Sequence, residues 1–123
     1  MGRPARRPDQ RGAATAELAM VLPLLVAVTV GLVWLLAVGA AQVRVVDAAR
    51  ETARAAARGD TDAAAVARGR EVAPPGGRIA LTRGDGEVRA VVTATVAGPG
   101  GLFDFLPGVE VDAEAVAADE DQT

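Results

Sequence analysis

LAMVLPLLVAVTVGLVWLLAVGAA, running from Leu18 to Ala41, is a stretch of 24 residues without a single charge. At a rise of about 1.5 Å per residue, a helix of that length exceeds the roughly 30 Å hydrocarbon core of a bilayer. The stretch therefore reads as a transmembrane helix. The competing reading is a cleaved secretory signal with a small-residue site near Val38, Ala40 or Ala41, but the apolar region of a signal runs only about 7 to 15 residues. Arg3, Arg6, Arg7 and Arg11 precede the span, and positive flanks stay cytoplasmic, so the rest of the chain is expected outside.

The rest of the composition follows from that anchor. Residues 1–12 carry four Arg against Asp9, a balance of +3, whereas the remainder carries nine Arg against 15 acids, a balance of −6. An acidic body lacking a basic, aromatic-lined stripe is a poor nucleic-acid partner. Cys, His, Ser, Tyr, Asn and Lys do not occur in the 123 residues. Most nucleophiles, tunable bases and soft metal ligands are thereby missing, so no catalytic, cofactor-binding or metal-binding residues are expected, and no enzyme.

Within the span, Pro23 cannot donate to the carbonyl of Ala19 and is expected to bend the helix near its start. Ala27, Gly31 and Gly39 fall on one face at spacings of four and eight, where small residues let neighbouring helices approach closely. Just before the span stands Arg11-Gly12-Ala13-Ala14-Thr15-Ala16-Glu17. A carboxylate carried into a bilayer costs on the order of a few kcal/mol unless it meets a partner, so Glu17 asks for one.

Arg11, Gly12, Glu17, Leu22 and Pro23 together resemble the opening of the TadE-like minor pilins or pseudopilins of tight-adherence (Flp) pilus systems. Leu18 stands where many members carry an aromatic. The resemblance implies that a prepilin peptidase cuts after Gly12, leaving Ala13 as the N-terminus of a 111-residue product with Glu17 at its fifth position. It also implies that the α-amine of an adjacent subunit pairs with Glu17 and that Pro23, Gly31 and Gly39 serve assembly. Expected partners are the membrane, the prepilin peptidase, other pilin or pseudopilin subunits and the pilus assembly machinery. Type II secretion pseudopilins share the same leader logic. The alternative is an uncleaved bitopic anchor displaying an envelope-binding or accessory domain.

Beyond the span, Gln42 to Arg58 lacks Gly and Pro and places Arg44, Asp47, Glu51, Arg54 and Arg58 on one stripe. That stripe is expected to be a solvated face laced by pairs three and four residues apart. Val45, Val46, Ala48, Ala49, Ala53, Ala56 and Ala57 form the opposite side of an amphipathic stalk that needs a cover. Gly59 ends it, Asp60-Thr61-Asp62 caps a second helix over residues 62–72, and Pro74-Pro75-Gly76-Gly77 stops that one.

Ile79 and Leu81, the turn Gly84-Asp85-Gly86, and Val88 to Val96 at period two predict a hairpin, and Val109 to Ala115 a third strand. Between them lies the apolar segment Leu102-Phe103-Asp104-Phe105-Leu106. The expected fold is α+β: a long N-terminal transmembrane helix continuing as an amphipathic stalk, packed on a small three-stranded antiparallel sheet in the pilin manner. The organisation is a basic leader (1–12), helix and stalk (13–58), a small α+β domain (59–118) and an acidic tail (119–123) expected to be frayed. Arg83-Gly84-Asp85 and Arg58-Gly59-Asp60 spell an adhesive tripeptide, but a hairpin and a helix end explain each more simply.

Overall fold

The computed structural model describes Gly2, residues 10–99 and residues 107–120. Arg3, Arg6 and Arg7 and the apolar segment 102–106 lie outside the described residues. The elements follow one another as α1 (Gln10–Ala57), α2 (Asp62–Val72), β1 (Arg78–Gly84), β2 (Glu87–Val96) and β3 (Val109–Ala118). This is the expected α+β arrangement of one long apolar helix and a small antiparallel sheet. Two compact units divide the chain, residues 1–33 and 34–123.

In the first unit, α1 runs from Gln10 through Pro23, which interrupts neither the helix nor its register of exposed residues. Every residue from Gln10 to Thr29 is exposed, including Leu18, Met20, Leu22, Leu24 and Leu25. Thr15 and Thr29 return their hydroxyl protons to the carbonyls of Arg11 and Leu25, both at 2.8 Å, so neither polar group is left bare on the apolar rod.

The second unit has two layers. The sheet order is β1-β2-β3, both pairs antiparallel. The period-two pattern puts Ile79, Leu81, Val88, Ala90, Val92, Ala94, Val111, Ala113 and Ala115 on one face. There they meet the apolar side of α1 in two clusters. Ala41, Val45, Ala48 and Ala49 pack with Val92, Ala94 and Val111. Ala55, Ala56 and Ala57 pack with Ala65 of α2 and Val88. Among the largest fully buried side chains are only Val45, Val88, Val92 and Thr52. Burial stabilises by about 25 cal/mol per Å² of apolar area, so a core built of Ala and Val is thin, and single lesions weigh heavily on it.

Local chemistry sets the corners. Beyond Ala57, the Gly59 N–H donates to the Ala56 carbonyl and the Asp60 N–H to that of Ala55, both at 3.2 Å, with Gly59 at φ 96°. That is the paired-bond helix ending that favours glycine. Thr61 then caps α2, its hydroxyl accepting from the Ala64 N–H at 3.2 Å. Asp85 and Gly86 alone form the hairpin turn, with φ of 54° and 76°. Two consecutive positive φ angles match the twist of the flanking strands, which is why Asp-Gly stands there.

Three expectations need correction. The stripe on α1 is not laced by pairs: among the described residues the ion pairs are Arg68–Asp60, Arg83–Asp62, Arg83–Asp119 and Arg89–Glu114. Arg44, Asp47, Arg54 and Arg58 are exposed to water, where a pair gains little. The apolar side of the stalk also includes a polar residue, Thr52, fully buried and bonded back to the Ala48 carbonyl at 2.8 Å. Asp119 is not frayed, because its N–H donates to the Gly86 carbonyl at 2.8 Å and its carboxylate, only 10% exposed, reaches Arg83.

Candidate processing and assembly segment

The residues singled out for processing and assembly all lie on α1. Gly12 and Ala13 occupy its first turns, followed one turn later by Glu17, and all three are exposed. With no acidic residue in the first turn, the positive end of the helix dipole faces the leader without a side-chain counter-charge of its own. Glu17 is thus a carboxylate placed at the boundary where the uncharged span begins.

The glycines separate folding from other uses of the helix. A Cβ built at Gly12, Gly31 or Gly39 would meet no atom within 4 Å. A helical glycine costs roughly 1 kcal/mol relative to Ala, so packing inside this chain gives no reason for any of the three. Gly69 of α2 is the contrast: a Cβ there would fall 2.0 Å from Thr52 Oγ1 and 2.9 Å from Ile79 Cδ1. It marks a point where the backbone of α2 lies close against α1 and β1. Gly31→Ala and Gly39→Ala are therefore expected to leave the melting temperature of the 34–123 unit unchanged or slightly raised, by calorimetry of the full chain in detergent. A drop of several degrees would show an intrachain role instead.

Sequence reasoning missed the residue that ties the unit together. Arg83 extends from the end of β1 on the inner face of the sheet. Its Nε donates to Asp62 Oδ1 at 2.9 Å and its Nη1 to Asp119 Oδ2 at 3.3 Å. Its Nη2 donates to the carbonyls of Ala56 and Asp60, both at 3.3 Å. One guanidinium thereby joins the end of α1, the start of α2 and the residue after β3, and it places a cation against the negative end of the α1 dipole. The hydrogen bond to Asp62 raises the Arg83 pKa above its ordinary value, aided by the charges of Asp62 and Asp119 and opposed by burial. Its alternation with Ile79 and Leu81 was the signal that it faces inward.

Among the described residues one N-terminal helix is long and apolar enough to cross a membrane, and it leads into a small α+β unit, which defines the class: a chain with the makings of a single-pass membrane anchor. The family model of TadE-like proteins matches residues 12–54, so this segment, which contains Gly12, Glu17, Pro23, Gly31 and Gly39, is TadE-like. Comparisons with curated proteins and with solved structures returned no match.

Proposed function

We propose that this chain is a minor pilin or pseudopilin that takes part in assembling a tight-adherence pilus. The leader stays in the cytoplasm, a prepilin peptidase cuts after Gly12, and Ala13 becomes the new N-terminus. The part of the chain beyond the span, from Gln42 on, then lies outside the cell membrane. The role is structural and not catalytic, and it needs no cofactor. The observation that carries this reading is the TadE-like match over a helix whose apolar surface is wholly exposed from Gln10 to Thr29. Such a surface calls for lipid or for other helices.

Each site residue then has a physical task. Removing the leader lets Ala13 to Glu17, already part of α1, enter the bilayer with the apolar rod, and the carboxylate of Glu17 finds the freed α-amine of an adjacent subunit. That pair penalises wrong registers more than it adds net stability, because both charges must leave water. Gly31 and Gly39 let a neighbouring backbone approach, and Pro23 adjusts the direction of the segment that carries the pair.

The test is surface piliation of the native cell. Deleting the chain is expected to reduce pili severely, and the parent gene to restore them. Glu17→Ala should be cut and accumulate in the membrane yet restore few pili. Full piliation without the chain would overturn the pilus role, and full restoration by Glu17→Ala would overturn the register role.

A further inference from the structure

The two layers of the 34–123 unit carry opposite charge on their outward faces. On the outward side of α1 stand Asp47, Arg50, Glu51, Arg54 and Arg58, three cations against two carboxylates, while Arg44 lines a groove with Pro74, Pro75, Thr95 and Val96. The outward face of the sheet holds Arg78, Glu87, Arg89, Glu110, Asp112 and Glu114, four carboxylates against two cations. Among the described residues, Arg50, Arg54 and Arg58 enter no ion pair, nor do Glu110 and Asp112, whereas Glu114 pairs with Arg89.

The two rows also match in spacing. Arg50, Arg54 and Arg58 recur every four residues of helix, so the row is about 12 Å long with steps of about 6 Å. Glu110, Asp112 and Glu114 recur every two residues of strand, giving about 14 Å with steps of about 7 Å. The acidic row lies on β3, at an edge of the sheet. The directions agree as well. Val111 belongs to the cluster that holds Ala41 to Ala49 and Ala117 packs against the one that holds Ala55 to Ala57, so β3 runs the same way as α1.

We propose that copies of this chain join front to back, the Arg50-Arg54-Arg58 row of one docking on the Glu110-Asp112-Glu114 row of the next. This rests on the assembly reading above and names the contact made outside the apolar span. The occupant is a second copy because the charge excess on one face is the complement of that on the other, in sign and repeat. Like faces would set Arg against Arg or carboxylate against carboxylate, so a symmetric pair is disfavoured and the contact is heterologous, leaving both ends open for further copies. The register follows too. Gln42 Nε2 donates to the Asp112 carbonyl at 3.0 Å, which puts Asp112 level with Gln42. Aligning Asp112 of one copy with Arg54 of its neighbour shifts them by twelve helix residues, about 18 Å along the stalk axis.

The absence of native cysteine allows a direct test on the full chain purified in detergent. With Arg54→Cys and Asp112→Cys in one chain, a short bismaleimide is expected to give a ladder of dimers, trimers and higher species. The out-of-register pair Arg44→Cys with Asp112→Cys should give about tenfold less. Adding Arg50→Glu and Arg58→Glu should collapse the ladder, and adding Glu110→Arg and Glu114→Arg on top should restore it. A dimer without a ladder, equal yield from the out-of-register pair, indifference to charge reversal, or cross-links formed only to another protein would each overturn the proposal. Leu32→Cys in the otherwise native chain reports span-to-span association separately. If it cross-links while the ladder is absent, only the front-to-back contact falls; if neither forms, the assembly reading falls with it.

Discussion

Gly69→Val is expected to destabilise the 34–123 unit by about 2–3 kcal/mol, the upper range for forcing bulk into a packed core. Even a Cβ at this position collides with Thr52 Oγ1, fully buried and fixed by its bond to the Ala48 carbonyl, and the Ala48 carbonyl oxygen itself lies 3.3 Å away. Backbone cannot retreat as a flexible side chain would. Either α2 lifts from α1, which opens the cluster around Ala55, Ala56 and Ala65, or Thr52 leaves its rotamer and loses its acceptor. Hydrogen exchange in the full chain should show the amides of β2 exchanging about thirty- to a hundredfold faster, since each factor of ten corresponds to about 1.4 kcal/mol. The milder Gly69→Ala should be partly rescued by Thr52→Ala, which removes the nearest atom. Independent, additive effects of those two changes would show that α2 does not rest on Thr52.

The second large effect is expected from Arg83→Ala, at about 2 kcal/mol. Its five nitrogen-borne protons serve two carboxylates and two carbonyls, and charge-assisted hydrogen bonds are the stronger kind. Solvent moderates the figure, because the Arg83 side chain remains 32% exposed and Asp62 62% exposed. The loss should be concentrated where the three elements meet, with faster exchange at the start of α2 and around Asp119. Arg83→Lys should recover only part of it, since an ammonium cannot present the planar fork that reaches Asp62 and the Ala56 carbonyl together. Molar salt should narrow the gap between parent and variant. The Arg83 pKa is raised, so its share of stability is complete below the ordinary arginine pKa and is lost only in strong alkali above it.

Much of the fold was legible because it is written in short-range patterns. The uncharged run from Leu18 to Ala41 could only be an apolar helix, Gly59 and Thr61 mark a helix end and a helix start, and Asp85-Gly86 between alternating residues specifies a hairpin. Each signal concerns residues a few positions apart, where propensity and period speak directly. Thr52, Gly69 and Arg83 were read less well because their roles depend on which elements meet. The apolar side was read from Val and Ala alone, without Thr52, and only the approach of α2 explains why a hydroxyl and a glycine sit opposite each other. Arg83 was noticed only within a tripeptide that the hairpin explains, although its inward position in β1 marked it as a residue needing partners. The absent pairs along Arg44 to Arg58 are a similar lesson. Helical spacing permits such bonds, but water competes for exposed charges, and spacing alone does not make them form. For Gly12, Glu17, Gly31 and Gly39 the situation is reversed. A Cβ on Gly12, Gly31 or Gly39 would meet no atom within 4 Å and Glu17 is exposed, so the roles proposed for all four rest on the motif.

The central claim is the cut after Gly12. Intact mass and N-terminal sequencing of the membrane-extracted protein, from the native cell with and without its prepilin peptidase, measure it directly. A chain beginning at Ala13 with the peptidase, and carrying the whole leader without it, is the expected result. An intact leader in both cells would contradict processing and leave an uncleaved anchor, while a start near Gln42 would show that the apolar stretch is a secretory signal.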